Sequence, residues 1–308
     1  LQKGVIMPVP HVFVAAVAAL LLAPVAPSGR GPAPSSAASA AGERQWIDAK
    51  GDPLPLGSDE EVEDFLRTAQ VVDLEGISRG VAGAQKALLR KGDIEMHAVF
   101  RTVAVEQRER RLGDRVVMFF RDHYIHEPAA YALSELLGLE MVPPAVVRTI
   151  RGRPGSLQLW LEDVRPTVEL EEEGIRSPDG RATLLQFYQM QVFDNLINNL
   201  DRNQGNILVD GRWRGWLIDH TMAFARTEQL PSPARVRRCE RGLWERLNTL
   251  SDQELEAAVE PFLPFPERAG LLKRRQVLVD LIQETIVLVG EGPVRFDRAE
   301  REVRPPSR

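Results

Sequence analysis

The sequence predicts an α+β fold, with strands concentrated in its first half and helices in its second. Three observations carry this. Short runs of apolar and β-branched residues, closed by Gly, Pro, Asn or Asp, recur between residues 84 and 164, as strands do. From Arg181 onward apolar residues return every three to four positions instead, the spacing of amphipathic helices. Among those helices the stretch FDNLINNLDRNQGNILVDGRWRGWLIDHTMAFA, from Phe193 to Ala225, breaks the pattern. Its apolar runs Ile207 to Val209 and Trp216 to Ile218 read as two short strands joined at Asp210-Gly211.

At 308 residues the chain has room for one large or two small domains. A composition of 44% hydrophobic and 27% charged residues is that of a soluble globular protein, and a net charge of −5 gives no basis for a nucleic-acid-binding surface. The basic residues are nearly all Arg, with Lys only at positions 3, 50, 86, 91 and 273. The single Cys239 excludes an intramolecular disulfide and argues against a zinc site.

Residues 11–26, HVFVAAVAALLLAPVA, are apolar but fewer than the roughly 20 that a membrane span needs. Ser, Pro, Gly and Ala follow as far as Ala41, and Ala38-Ser39-Ala40 fits a small-residue cleavage site. Residues 1–42 are therefore expected to be a signal peptide or amino-terminal anchor plus a low-complexity linker, implying export or membrane association. The weak positive charge before the run, Lys3, and the distance to the cleavage site favour the alternative, a cytoplasmic protein.

Ser58 followed by acids, then Val62, Phe65 and Leu66 at helical spacing, predicts a short helix over 58–70. Strands are expected near 84–90 and 95–104, around a turn at Lys91-Gly92-Asp93, and at VVMFF, with a charged segment from Glu106 to Arg115 before the last. Gly76, Gly80 and Gly83 precede the first strand. They make either an ordinary loop or one whose backbone N–H groups cradle phosphates. In HEPAAYALSELLGLEMVPPAVV, Pro128 suits a first helical turn, and Ala129, Ala130, Leu133, Leu136 and Leu137 form the apolar face. Met141 to Val147 and Leu157 to Val164 read as strands. A helix from Arg181 to Leu200 presents Leu184, Tyr188, Val192, Leu196 and Leu200, with Phe187 and Tyr188 as core residues. Beyond Ala225 the chain reads as helical: Ser251 and Glu254 make a capping box, and Leu271 to Val289 forms a long helix ended by Gly290. The Arg-rich stretch 235–246 is a solvated face or a surface for an acidic substrate or lipid, and the tail 295–308 is expected to be disordered.

The hairpin stretch holds three metal-capable side chains, Asp201 and Asn206 in DRNQGN and Asp219 in LIDH, and a hairpin brings Asn206 and Asp219 together. Mg²⁺ takes hard oxygen ligands and favours one or two carboxylates plus substrate phosphates. Turn formation alone would also account for these residue types. The order D-R-x-x-x-N, strand, turn, strand, I-D resembles the catalytic and metal loops of the atypical kinases, a group that includes phosphatidylinositol 3-/4-kinases, HipA-like kinases and secretory-pathway kinases. HEPAAYALSELLGL followed by VPP is similar to the corresponding helix and strand of HipA-like and related bacterial kinases. The resemblance spans roughly residues 70–290.

The resemblance implies a two-lobed protein-kinase-like fold, with a small β-rich lobe over 43–165 and a mostly helical lobe over 166–294. It implies ATP and Mg²⁺ as cofactors and phosphoryl transfer to the hydroxyl of an unidentified protein, lipid or small-molecule acceptor. Asp201 would be the catalytic base, and Asn206 and Asp219 the metal ligands. Glu127 would pair with the cation that grips the ATP phosphates, if it is not merely a first-turn acid. The backbone at Trp160 to Glu162, including Leu161, would dock the adenine. One departure stands out. The family's Lys is replaced by Arg101, and the two are not interchangeable at such a site. Lys86, one strand earlier, is the other candidate for that role or is a solvated strand residue. Arg101 also leaves room for a pseudokinase that binds nucleotide or partners without transferring phosphate.

Overall fold

The computed structural model describes residues 45–77, 83–113 and 115–298, all within the unit Glu43–Arg308. Helix α1 (Asp59–Thr68) starts where expected. The Ser58 side chain accepts from the Glu61 N–H, three acids occupy the positive end of the helix dipole, and Val62, Phe65 and Leu66 are buried. Strands β1 (Gln70–Gly76), β2 (Ala84–Lys91) and β3 (Ile94–Arg101) form an antiparallel meander. A separate two-stranded hairpin of β4 (Ala104–Leu112) and β5 (Arg115–His123) comes next, then helix α2 (His126–Leu136). Strands β6 (Ala145–Ile150) and β7 (Arg153–Leu159) complete a five-stranded sheet in the order β1-β2-β3-β7-β6.

Alternation along β2 and β3 sorts the two faces of this sheet. Ala87, Leu89, Met96, Ala98 and Phe100 are fully buried on the face that packs with α1, Trp46 and Leu54. Arg148 fastens α1 down by donating to the Leu66 and Ala69 carbonyls, which the helix end leaves open. On the opposite face the register sets Lys86 beside Val99, Val99 beside Gln158, and Arg101 beside Ser156. Strand β7 meets β3 at Gly155, where a Cβ would lie 2.4 Å from the Arg101 carbonyl oxygen, so a larger residue would push the strands apart.

The second lobe runs β8 (Val164–Pro166), α3 (Thr167–Glu172), α4 (Gly180–Ile197), β9 (Ile207–Asp210), β10 (Gly215–Leu217), β11 (Cys239–Glu240), α5 (Arg241–Thr249), α6 (Asp252–Val259), α7 (Phe265–Val289), α8 (Glu291–Val294) and β12 (Arg295–Phe296). Strands β8, β9 and β10 make a small antiparallel sheet. Phe193 and Leu196 of α4, Leu243 of α5, Leu255 of α6 and Leu278 of α7 form one core that also takes in Ala129 and Leu133 of α2. The helix that carries Glu127 is thereby anchored to the helical lobe.

The expected capping box at Ser251 and Glu254 is present. Elsewhere the structure corrects the sequence reading. The charged segment 106–115 is mostly strand, because β4 pairs along its length with β5 while facing solvent on both sides. Strand β6 begins at Ala145 and not at Met141, since Pro143 and Pro144 have no N–H to give a ladder. Strand β7 lies upstream of the expected 157–164 and stops at Leu159. Helix α4 ends at Ile197, where Asn198 turns left-handed with φ 52°, so Leu200 is not helical, and Leu184 and Phe187 are exposed instead of core. No regular helix occurs between Ala225 and Glu240 apart from a 3-10 turn, and prolines 231 and 233 account for that. Helix α7 begins at Phe265, ahead of Leu271. Arg295 and Phe296, assigned to the tail, pair as β12 with β11, and Phe296 is buried. Among the described residues no helix is long and apolar enough to cross a membrane; the apolar run 11–26 lies outside them.

Arg274 shows what holds α7 against α4 and the segment from Ala225 to Thr227. It is fully buried and donates to the carbonyls of Leu196, Ala225 and Thr227, and burial lowers its pKa to about 9. Arg274→Met should leave these three acceptors unsatisfied. A stability loss of roughly 2–4 kcal/mol is expected in urea denaturation. An unchanged midpoint would mean that water or another donor replaces the guanidinium.

Candidate functional site

The β9–β10 register, with Ile207 opposite Leu217 and the Ile218 N–H donating to the Asn206 carbonyl at 3.2 Å, puts Asn206 and Asp219 side by side. The 3-10 turn Gln204–Asn206 presents Asn206, whose side-chain amide donates to the Asp201 carbonyl at 3.0 Å. Its amide oxygen is left as the accepting end. Asp219 sits in the left-handed region at φ 59°, a conformation Asp tolerates, with its side chain 7% exposed.

Into this corner reaches Arg101 from the end of β3. Its Nη1 lies 3.6 Å from Glu127 Oε1 and its Nε 3.8 Å from Asp219 Oδ1. Neither nitrogen has a hydrogen-bond partner, although Arg101 is 92% buried. Buried donors without a partner are uncommon in a folded protein and call for a water, an ion or a ligand group. Glu127 is completely buried and accepts from the His220 backbone N–H at 3.1 Å and the His220 ring Nδ1 at 3.2 Å. Burial alone would raise its carboxyl. The Arg101 guanidinium and His220 outweigh burial and hold it below the usual carboxylate range.

His220 in turn meets Arg202, whose Nη2 lies 3.0 Å from the ring Nε2. Arginine can only donate, so Nε2 accepts and Nδ1 carries the proton given to Glu127. Arg202 also clasps Asp194 of α4 and donates to the carbonyls of Asn206 and Ile218. One guanidinium thus ties both metal-capable loops to α4.

The two aspartates differ in setting. The Asp201 carboxyl is raised, chiefly by burial and then by the neighbouring Asp219 charge, with Asp122 at the end of β5 adding to it. Asp219 is raised by burial and by Glu127, with Arg101 opposing. Among the described residues no group of three or more His, Cys, Asp or Glu is arranged to hold a metal. One carboxylate and one amide oxygen nevertheless fit Mg²⁺, which retains waters and takes phosphate oxygens for its other positions.

The structure brings Arg101, Glu127, Asp219, Asn206 and Asp201 to one place. Lys86 stands 4.4 Å above the Trp160 ring and makes no ion pair with Glu127. The Trp160 N–H bonds the His97 carbonyl, and Leu161 to Asp163 bend the chain into β8. Glu162 hydrogen-bonds His97 Nδ1 at 2.6 Å, and Leu161 packs against the small-lobe core. Gly83, at φ 100°, lies just before β2, and Gly80 falls outside the described residues. Sequence reasoning missed Arg202, His220, Asp194 and Asp122. Asp194 carried a signal, an acid inside an otherwise apolar helical run. His220 carried its adjacency to Asp219.

No protein-family model matches the chain. A curated relative, protein Rv2133c of Mycobacterium tuberculosis, is 28% identical over a 163-residue alignment that covers 42% of this chain and 54% of that protein. The match therefore spans about half the length of the relative. Among solved structures, hydra Fam20 with sugar superposes with TM-score 0.60 at 18% identity, over 79% of this chain and 94% of that one. The Golgi casein kinase does so with TM-score 0.57 at 13% identity, over 77% of each chain. The same kinase with Mn/ADP bound gives TM-score 0.56, also at 13% identity, over 77% of this chain and 78% of that one. The chain has the atypical kinase-like fold, a β-sheet lobe and a helical lobe.

Proposed function

We propose that this chain is an ATP- and Mg²⁺-dependent phosphotransferase acting on a hydroxyl group. The observation that carries the reading is the buried meeting of Arg101, Glu127 and Asp219, with Asn206 and Asp201 alongside, on a kinase-like fold. Asp201 accepts the proton of the attacking hydroxyl as its oxygen bonds the terminal phosphorus, the bond to the bridging oxygen breaks, and ADP leaves. Asn206 and Asp219 would hold Mg²⁺, which would offset the phosphate charge. Arg101 gives its two unpartnered donors to phosphate oxygens, and Glu127 fixes its orientation. The backbone at Gly83, just before β2, borders the phosphates, and the backbone at Leu161 and Glu162 borders the base.

Thermal denaturation with MgATP tests this, since a ligand at about 100 times its Kd adds about 2.7 kcal/mol. Transfer of labelled terminal phosphate is then expected. A shift without transfer supports the second reading, a pseudokinase, which Arg101 in the place of the family's Lys favours. Neither shift nor transfer sinks both. Because burial and Asp219 raise Asp201, the acid limb of kcat/KM should lie above the ordinary 3.8, with activity falling as pH drops through it. A limb at or below 3.8 would remove Asp201 from the role of base. Export or anchoring through residues 11–26 is part of the proposal, tested by cell fractionation.

A further inference from the structure

Strand β5 is paired on one side only. Strand β4 runs along it from Ala104 opposite His123 to Leu112 opposite Arg115, and among the described residues no strand pairs with its other edge. At its carboxy-terminal end that edge touches the metal loop, where the His123 N–H donates to the Thr221 carbonyl at 2.9 Å, two residues past Asp219. From there the two segments diverge around a groove of about 780 Å³. Five successive residues of β5, Arg115 to Phe119, line it. Ala225 to Thr227 and Gln229 to Pro231 line it too, together with Leu200, the neighbour of Asp201. Side chains alternate across a strand, so five consecutive residues face one groove only when it meets the strand edge-on. The groove is therefore bordered by backbone N–H and C=O groups that lack a ladder partner.

Its side chains say what would fit. Val116, Met118 and Phe119 are 59%, 46% and 50% exposed, unusual for large apolar residues beside a candidate site. Phe119 holds a left-handed φ of 53°, and its ring lies 4.9 Å from the Arg226 guanidinium. The charged residues lining the groove are Arg115 and Arg226, with no acid among them. A free sugar or lipid headgroup would leave the strand edge unpaired. An extended polypeptide would pair with it and continue the β4–β5 sheet toward Asp201.

Resting on the transferase reading above, we propose that the acceptor is an extended polypeptide that adds to the free edge of β5. Its hydroxyl residue lies at the Asp201 end, its apolar side chains against Val116 and Met118, and a carboxylate opposite Arg115 and Arg226.

The test uses the full chain, MgATP, and degenerate peptides with one fixed Ser, Thr or Tyr. Phosphorylation is expected of a subset that alternates apolar and polar residues and carries an acid. The best peptide is then remade with single N-methylated amides along its length. Alternate N–H groups of an added strand point toward and away from its neighbour, so methylation at one parity should raise KM roughly ten-fold and at the other leave it near unity. Met118→Glu should raise KM for the unmethylated peptide in a protein that still melts as wild type. MgATP binding with no peptide phosphorylated overturns the groove assignment, and transfer to non-peptide hydroxyls then decides between the transferase and the pseudokinase. N-methylation that shows no parity also overturns the groove assignment and leaves the transferase reading standing. Absence of MgATP binding overturns that reading and the groove together.

Discussion

Asp219→Asn should abolish Mg²⁺-dependent nucleotide binding and lower phosphoryl transfer by roughly 10³-fold, the scale expected when a charge-stabilising group is removed from a transfer centre. Asn keeps the shape of the side chain and tolerates the left-handed backbone at φ 59°, so the loop should survive the change. Only the charge is lost, and it is the one carboxylate placed beside Asn206 by the β9–β10 register. Asp219→Ala should lose the same activity and about 1 kcal/mol more stability, because Ala is strained at that φ. Titration of ATP with and without Mg²⁺, followed by calorimetry, reads the effect directly. A mutant whose metal-dependent affinity matches wild type would remove Asp219 from the metal site.

The parts of this site that were legible in the sequence are those fixed by local geometry. A hairpin forces its outer ends together, so Asn206 and Asp219 could be paired from their spacing around Asp210-Gly211. Ser58 and Ser251 announced helix starts because a cap needs only three residues to work. What stayed hidden depends on contacts between distant segments. Arg202 reads as a surface charge until α4, the loop after Asp201 and the chain leading into Asp219 converge on it. Strand β4 offers no alternation to read, because neither of its faces is buried. The free edge of β5 is likewise a property of what fails to pair with it, which no local pattern encodes.

Arg101→Met is expected to be the most damaging change in the small lobe. Arg101 is the cation nearest to the wholly buried Glu127 and also faces Asp219, so Met leaves two carboxylates close together with their compensating charge gone. Removing one partner of a buried pair costs about 3–5 kcal/mol, far beyond the value of the pair itself. ATP affinity should fall by a further 1.5–3 kcal/mol or so, the worth of a hydrogen bond to a charged group. Arg101→Lys should restore most of both, since an ammonium can still stand between Glu127 and the phosphates. Lys86→Met should be mild, losing about 0.5–1 kcal/mol of cation–π contact with Trp160. A reversed order, with Lys86→Met crippling ATP binding and Arg101→Met harmless, would hand the phosphate role to Lys86. The pH dependence separates lost charge from lost packing. Arg101 and His220 hold Glu127 below its ordinary 4.5, so wild type draws stability from that ionised carboxylate above pH 4.5 and loses it as pH falls. In Arg101→Met only the His220 share of that contribution remains, against the burial that raises the carboxyl, and the stability gap between the two proteins should narrow as the solution is acidified through pH 4.5. A gap that stays constant would show that Met fails for its shape and that Glu127 never needed the charge.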